Sequence, residues 1–183
     1  MSGLTKLEFK DTDASVQNLL KPSVDRLGYF GEFFQYVAHA PAVLEGFMKY
    51  SGALRTALPP NLNELIALTV CTQLQFPYER IQHERLSQTL GLERGWIAEL
   101  VGRGAGAQFS DQERLVQDIS LLVISGQHAE ARKKLEALAA EAGNPLAMGV
   151  LFQITRFMTV CTMGRVLEVS LPVPSIFEGH PNP

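Results

Sequence analysis

NLNELIALTVCTQLQFPYERIQHERLSQTL, residues 61–90, is the stretch on which the fold is read. Residues 65–71 are apolar nearly all round, which predicts a helix buried on every side. Asn61 and Glu64 have the N-cap-to-N3 spacing of a capping box, so the spacing predicts that this helix opens at Asn61. A second helix is predicted from Pro77, a residue suited to the first helical position, to Gly91. On it, positions 76, 79, 80, 83, 86, 87 and 90 share one side. Phe76, Leu86 and Leu90 turn that side towards a core, and with it come Glu79 and His83, four residues apart.

A carboxylate and an imidazole on a core-facing side cost free energy unless they pair. Paired, Glu79 raises the pKa of His83 and fixes its tautomer, the arrangement of a general acid/base with an orienting group. Each residue also has a purely structural role to play. Glu79 lies in a first helical turn, where a carboxylate complements the macrodipole. His83 fits a packing seam, and Glu64 fits the capping box. As a functional residue, Glu64 would be a carboxylate at the start of a buried helix, where desolvation raises a pKa. Periodicity alone favours the structural roles.

Outward from this stretch the pattern stays helical. Segments are predicted over 14–27 (interrupted at Pro22), 31–39, 41–58, 92–102, from Ser110 through a stripe ending at Val123, 128–142, and 143–169. Ser110 and Glu113 form a second capping signature. No strand is convincing. The expectation is one all-α domain of about eight helices over residues 1–183, with 1–12 and 171–183 as loose or arm-like ends, the latter laid on a neighbour. Thr69-Val70-Cys71-Thr72 recurs as Thr159-Val160-Cys161-Thr162, either the trace of a duplicated helical hairpin or a coincidence of four residues.

Of the 183 residues 46% are hydrophobic, which excludes an intrinsically disordered chain. Charged residues make up 19%, below the roughly 25% of an average domain, a sign that other subunits cover part of the surface. A net charge of −3 argues against a nucleic-acid partner. No apolar run of about 18 residues and no signal-like N-terminus stand out, so the expectation is a cytoplasmic protein with no membrane partner. Cys71 and Cys161 lie in separate apolar segments with no CxxC and no flanking cation. They are expected to stay reduced, as small buried hydrophobes. His39, His128 and His180 form no ligand cluster, so no metal site is expected. There is no HExxH, GxSxG or phosphate-binding glycine loop. In the aromatic stretch, Phe30, Phe33, Phe34 and Val37 share a stripe, which leaves Tyr36 as the expected interface residue along with the tail around Ile176 and Phe177.

The segments APAVLEGFMKYSGAL (40–54) and NELIALTVCTQLQFPYERIQHERLSQTLGL (63–92) resemble the carboxymuconolactone decarboxylase and alkylhydroperoxidase D superfamily. That family has a glutamate in an E-L-x-x-L frame, a CxxC about a dozen residues on, and a histidine four residues after the second cysteine. Glu64 matches the glutamate and His83 the histidine, while Phe76 and Glu79 occupy the cysteine positions. The likeness covers roughly residues 25 to 170. It implies an alkylhydroperoxidase-D-like helical fold, assembled as a homo-oligomer (a trimer or hexamer). Without the paired cysteines the family's disulfide chemistry is unavailable, and the sequence is similar to the non-redox, decarboxylase-like branch. The implied function is a cofactor-free enzyme that performs decarboxylation or lactone and enol chemistry on a small organic acid. His83 would be the acid/base, Glu79 its orienter and Glu64 a second acid or relay. Tyr78 and Arg80 would contact substrate. The alternatives are a peroxiredoxin-like protein using Cys71 and a ligand-binding oligomer without chemistry.

Overall fold

The computed structural model describes residues 3–104 and 106–178, so His180 lies outside the described residues. Among the described residues a short 3-10 turn, Phe9–Asp11, precedes nine α-helices, one at each predicted segment, where the expected total was about eight. They are α1 (Ala14–Leu27), α2 (Glu32–Val37), α3 (Pro41–Ala57), α4 (Pro60–Gln73), α5 (Pro77–Thr89), α6 (Arg94–Leu100), α7 (Asp111–Ile124), α8 (His128–Ala142) and α9 (Asn144–Val166). Among the described residues there is no strand.

Helix α4 is the axis of the molecule. Every residue from Leu62 to Cys71 is buried, because α5, α6, α7 and α9 all pack against it. The main core gathers Leu65, Ile66 and Leu68 with Ile119 of α7, Leu138 of α8 and Ile154 and Phe157 of α9. A smaller cluster of Val16, Leu20, Ala38 and Leu44 ties α1 to α2 and α3. Pro22 lies inside α1 without ending it. Helix α7 opens on the expected capping box, Ser110 and Glu113 bonding each other's backbone amides.

The box expected at Asn61 and Glu64 does not form. Helix α4 starts a residue earlier on Pro60, with no side-chain cap. Asn61 instead donates to Glu113 Oε1 (3.0 Å), and Glu64 faces inward, 4% exposed. The residue that imitated a cap is a buried carboxylate.

Both described ends make contacts with the body of the molecule. Leu7 N–H bonds the Gln35 carbonyl (3.0 Å), and Lys6 meets Glu32 (2.6 Å) while lying over the Tyr36 ring, so Tyr36 is partly covered by its own chain. Residues 170–178 fold back on the same molecule: Ser170 N–H bonds Glu32, Arg94 bonds the Ile176 carbonyl, and the Phe177 ring lies beneath Arg94 and Arg103.

Helix α9 corrects a second expectation. Its length and composition suffice to cross a membrane, with a mean hydropathy of 1.4 over 18 residues. Its inner face is spent on the core, where Ala147, Val150, Ile154, Phe157, Val160 and Cys161 are buried.

Candidate active site

The turn from α4 into α5 sets the site. Phe76 N–H reaches back to the Cys71 carbonyl (2.9 Å), and Gln75 takes a left-handed φ of 53° to make the reversal. Pro77 then starts α5, which runs back along α4. Two residues 19 positions apart thereby meet: His83 Nδ1 is 2.8 Å from Glu64 Oε2. Ser87, one turn further, donates its hydroxyl to the same oxygen at 3.2 Å. On the other side of the ring, His83 Nε2 is 3.5 Å from Glu79 Oε2. The imidazole lies between two carboxylates, and the edge-to-face ring of Phe157 (centroids 4.9 Å apart) packs against it.

A neutral imidazole has one donor and one acceptor nitrogen, so both carboxylates are served only by the cation. Burial pushes the pKa of His83 down, but the charge and hydrogen bond of Glu64, with those of Glu79, outweigh it and raise it to about 9. Burial pushes Glu79 up. The hydrogen bond and charge of His83, with the more distant charge of Arg156, outweigh that and hold it below its ordinary value. At neutral pH the centre is therefore an imidazolium flanked by carboxylate. The side chains of His83 and Glu79 are 15% and 13% exposed, against 5% for Glu64, so the Nε2 side is the one that solvent reaches.

Glu64, Glu79 and His83 thus converge, whereas Tyr78 and Arg80 are placed elsewhere. The Tyr78 ring stacks on Phe76 (5.8 Å between centroids), and its Oη accepts from Phe33 N–H at 3.5 Å. A Cβ at Gly31 would fall 2.6 Å from that oxygen, so glycine is required there. Burial foremost, then the charge of Glu79, raises the phenol's pKa. Arg80 pairs with Glu84, a carboxylate with no exposure that also accepts the Ser175 hydroxyl at 2.5 Å. Its charge is committed to a buried anion supplied by the same helix.

Sequence reasoning missed three contributors. Position 87 falls on the predicted core-facing side of α5 but Ser87 was given no role there, and Glu84 looks like an ordinary surface polar residue. Arg156 sits in the apolar run LFQITRFMTVC, and that isolation was a readable signal. Its guanidinium lies over the rings of Phe157 (4.4 Å) and Phe47 (5.7 Å), and Nε donates to Ser51 Oγ (3.2 Å). Among the described residues no carboxylate lies within ion-pair distance of it. The cysteines are free and buried, as expected, but the fold joins what the sequence separates: Cys71 and Cys161 lie sulfur to sulfur at 3.7 Å, and the charge of Arg156 reaches Cys71. No group of three or more potential ligands suited to a metal ion occurs among the described residues.

The architecture is that of the alkylhydroperoxidase D proteins. The chain is similar to the alkylhydroperoxidase D core of an uncharacterised peroxidase-related protein from Ralstonia eutropha JMP134, with TM-score 0.77, 17% identity and 91% of each chain covered. It is also similar to a protein of unknown function from Agrobacterium tumefaciens described as a putative antioxidant defence protein, with TM-score 0.68, 18% identity, and 76% of this chain and 97% of that one covered. A third likeness is to a cysteine-to-alanine variant of the debrominase Bmp8 in complex with 2,3,4-tribromopyrrole, with TM-score 0.79, 12% identity, and 94% and 93% covered. No family model matches the sequence, and no curated protein matches it. The expected fold therefore stands, and the likeness shows the fold alone.

Proposed function

We propose that this protein is a cytoplasmic, cofactor-free enzyme of proton-transfer type, whose His83 imidazolium protonates a carbanion or enolate formed by decarboxylation or lactone chemistry. The observation that supports this most is the seating of His83 between two carboxylates. The 2.8 Å bond to Glu64 holds the ring through Nδ1. The looser 3.5 Å contact to Glu79 leaves the Nε2 proton as the one to be transferred. Loss of CO₂ places a pair of electrons on carbon, and a pre-formed cation beside it both stabilises that charge and supplies the proton. Arg156 is the cation suited to a substrate carboxylate, in place of Arg80, because it lies beside the same Phe157 ring and carries no ion pair among the described residues.

Turnover is to be measured as CO₂ release and lactone consumption with small β-keto acids and unsaturated lactone acids as probes. His83→Gln keeps a hydrogen bond but cannot supply a proton near neutral pH, so it should abolish turnover in protein that is still folded at the assay temperature, although the lost ion-pairing lowers the melting temperature. Glu79→Gln should retain part of the activity, since an amide still orients the ring. Full turnover in His83→Gln would overturn the proposal. Binding of a probe without turnover in the wild type would leave a ligand-binding protein.

The active form is proposed to be a homo-oligomer. Met148 (44% exposed), Phe152 (50%), Met163 (38%) and Val166 (76%) line one outer face of α9, with only threonines between them. A face this apolar suits a second copy of itself.

A further inference from the structure

Ninety positions separate Cys71 from Cys161, yet their sulfurs are 3.7 Å apart, in van der Waals contact. Both are free thiols with no exposed surface. Their placement follows from helix geometry. Cys71 is two turns beyond Glu64 on α4, and Cys161 is one turn beyond Phe157 on α9. The thiols therefore occupy the next layer along the seam that holds Glu64, His83 and Phe157. Phe76 closes the seam beyond them, so near Gly164 that a Cβ there would fall 2.2 Å from its ring. The two Thr-Val-Cys-Thr segments are thus spatial partners, meeting cysteine to cysteine.

We infer that Cys71 and Cys161 are a redox-active pair, which a hydroperoxide converts into a disulfide joining α4 to α9. One thiol, as its thiolate, attacks a peroxide oxygen. The O–O bond breaks, the released hydroxide takes up the thiol proton to leave as water, and the sulfur is left as a sulfenic acid. The second thiol displaces that hydroxyl, forming the S–S bond and a second water. In sum two thiols are oxidised, and hydrogen peroxide is reduced to two waters. The sulfurs must close by about 1.7 Å to reach disulfide length. Burial, then the Cys161 contact and the charge of Glu79, raises the Cys71 pKa, partly opposed by Arg156. Oxidation is accordingly slow, and the pair is built to close under sustained oxidant rather than at each encounter.

This inference does not rest on the proton-donor reading. The variants that test that reading, His83→Gln and Glu79→Gln, leave both cysteines in place, so the two ideas fail separately. The experiment exposes the full-length protein to millimolar hydrogen peroxide for minutes to hours, quenches it, alkylates it under denaturing conditions and weighs it intact and as peptides. The expected result is a loss of 2 Da, an intramolecular link between the Cys71 and Cys161 peptides, and full reversal by dithiothreitol. The bridge closes a loop of about 90 residues, so oxidised protein should melt about 10 °C higher than reduced protein. Neither the link nor the melting shift should appear in Cys71→Ser or Cys161→Ser. Two alkylated thiols after treatment, sulfinic acids without a link, or a link only between molecules would each overturn the inference.

Discussion

At the scale of single residues, the fold seats His83 between two carboxylates, where periodicity alone favoured a packing role. The helix spacing gave it a partner in Glu79 at i−4, and the fold adds a closer one in Glu64, 19 positions away. That second partner was legible only through the family resemblance, because the local pattern offered Glu64 a capping role that α4 never uses. The titration of His83 has a thermodynamic consequence. Its folded pKa of about 9 lies above the ordinary 6.5, so the ion-pairing it contributes is complete below pH 6.5 and is lost as pH rises through 9. Unfolding free energy should fall by up to about 3 kcal/mol between pH 6.5 and pH 10, and denaturant titrations across that range check it. Glu79, held low, works in the opposite direction: its contribution is present above pH 4.5 and lost below it. The burial of Glu84 was not legible. The i,i+4 spacing from Arg80 allows an ion pair, but nothing local to ERIQHERL marks Glu84 as having no exposure, since its other partner, Ser175, comes from a distant tail. Ser175→Ala leaves that carboxylate short of a donor and should cost about 1–3 kcal/mol with turnover unchanged, as urea unfolding and a parallel assay would show.

Among the helices, those with strong local signals formed as the pattern predicts, and the differences have physical causes. Proline at the first or second position opens α3, α4, α5 and α9, and Ser110 with Glu113 opens α7. The core-facing side predicted for α5 was only half right. Phe76 and Ser87 are buried, but Leu90 is 47% exposed because it caps the helix beyond its last packed turn. Two glycine substitutions separate packing from helix propensity. Gly164→Ala drives a methyl group into the Phe76 ring and should cost about 1–3 kcal/mol despite alanine's better helix propensity. Gly52→Ala, in the middle of α3 with open space around it, should stabilise by about 0.5–1 kcal/mol. Thermal unfolding of the two variants side by side reads the contrast.

For the whole molecule, sequence gives the all-α class and the approximate place of every helix, because apolar spacing and breaks are local. The pairings were not local. The contact of Cys71 with Cys161, the return of residues 170–178 over α5 and α6, and the seat of Arg156 each join segments distant in sequence. The outer face of α9 also belongs to this scale. Light scattering at micromolar concentration should return a multiple of 20.2 kDa, and Met148→Glu combined with Met163→Glu should shift the mass towards the monomer. A wild-type mass near 20 kDa would contradict the oligomer. The central claim, however, is that His83 stands ready as a cation between two carboxylates, and NMR of its ring nitrogens during a pH titration measures this directly. The account predicts both nitrogens protonated at pH 7 and a midpoint near 9. A ring that is neutral at pH 7, with a midpoint at or below 6.5, would contradict it.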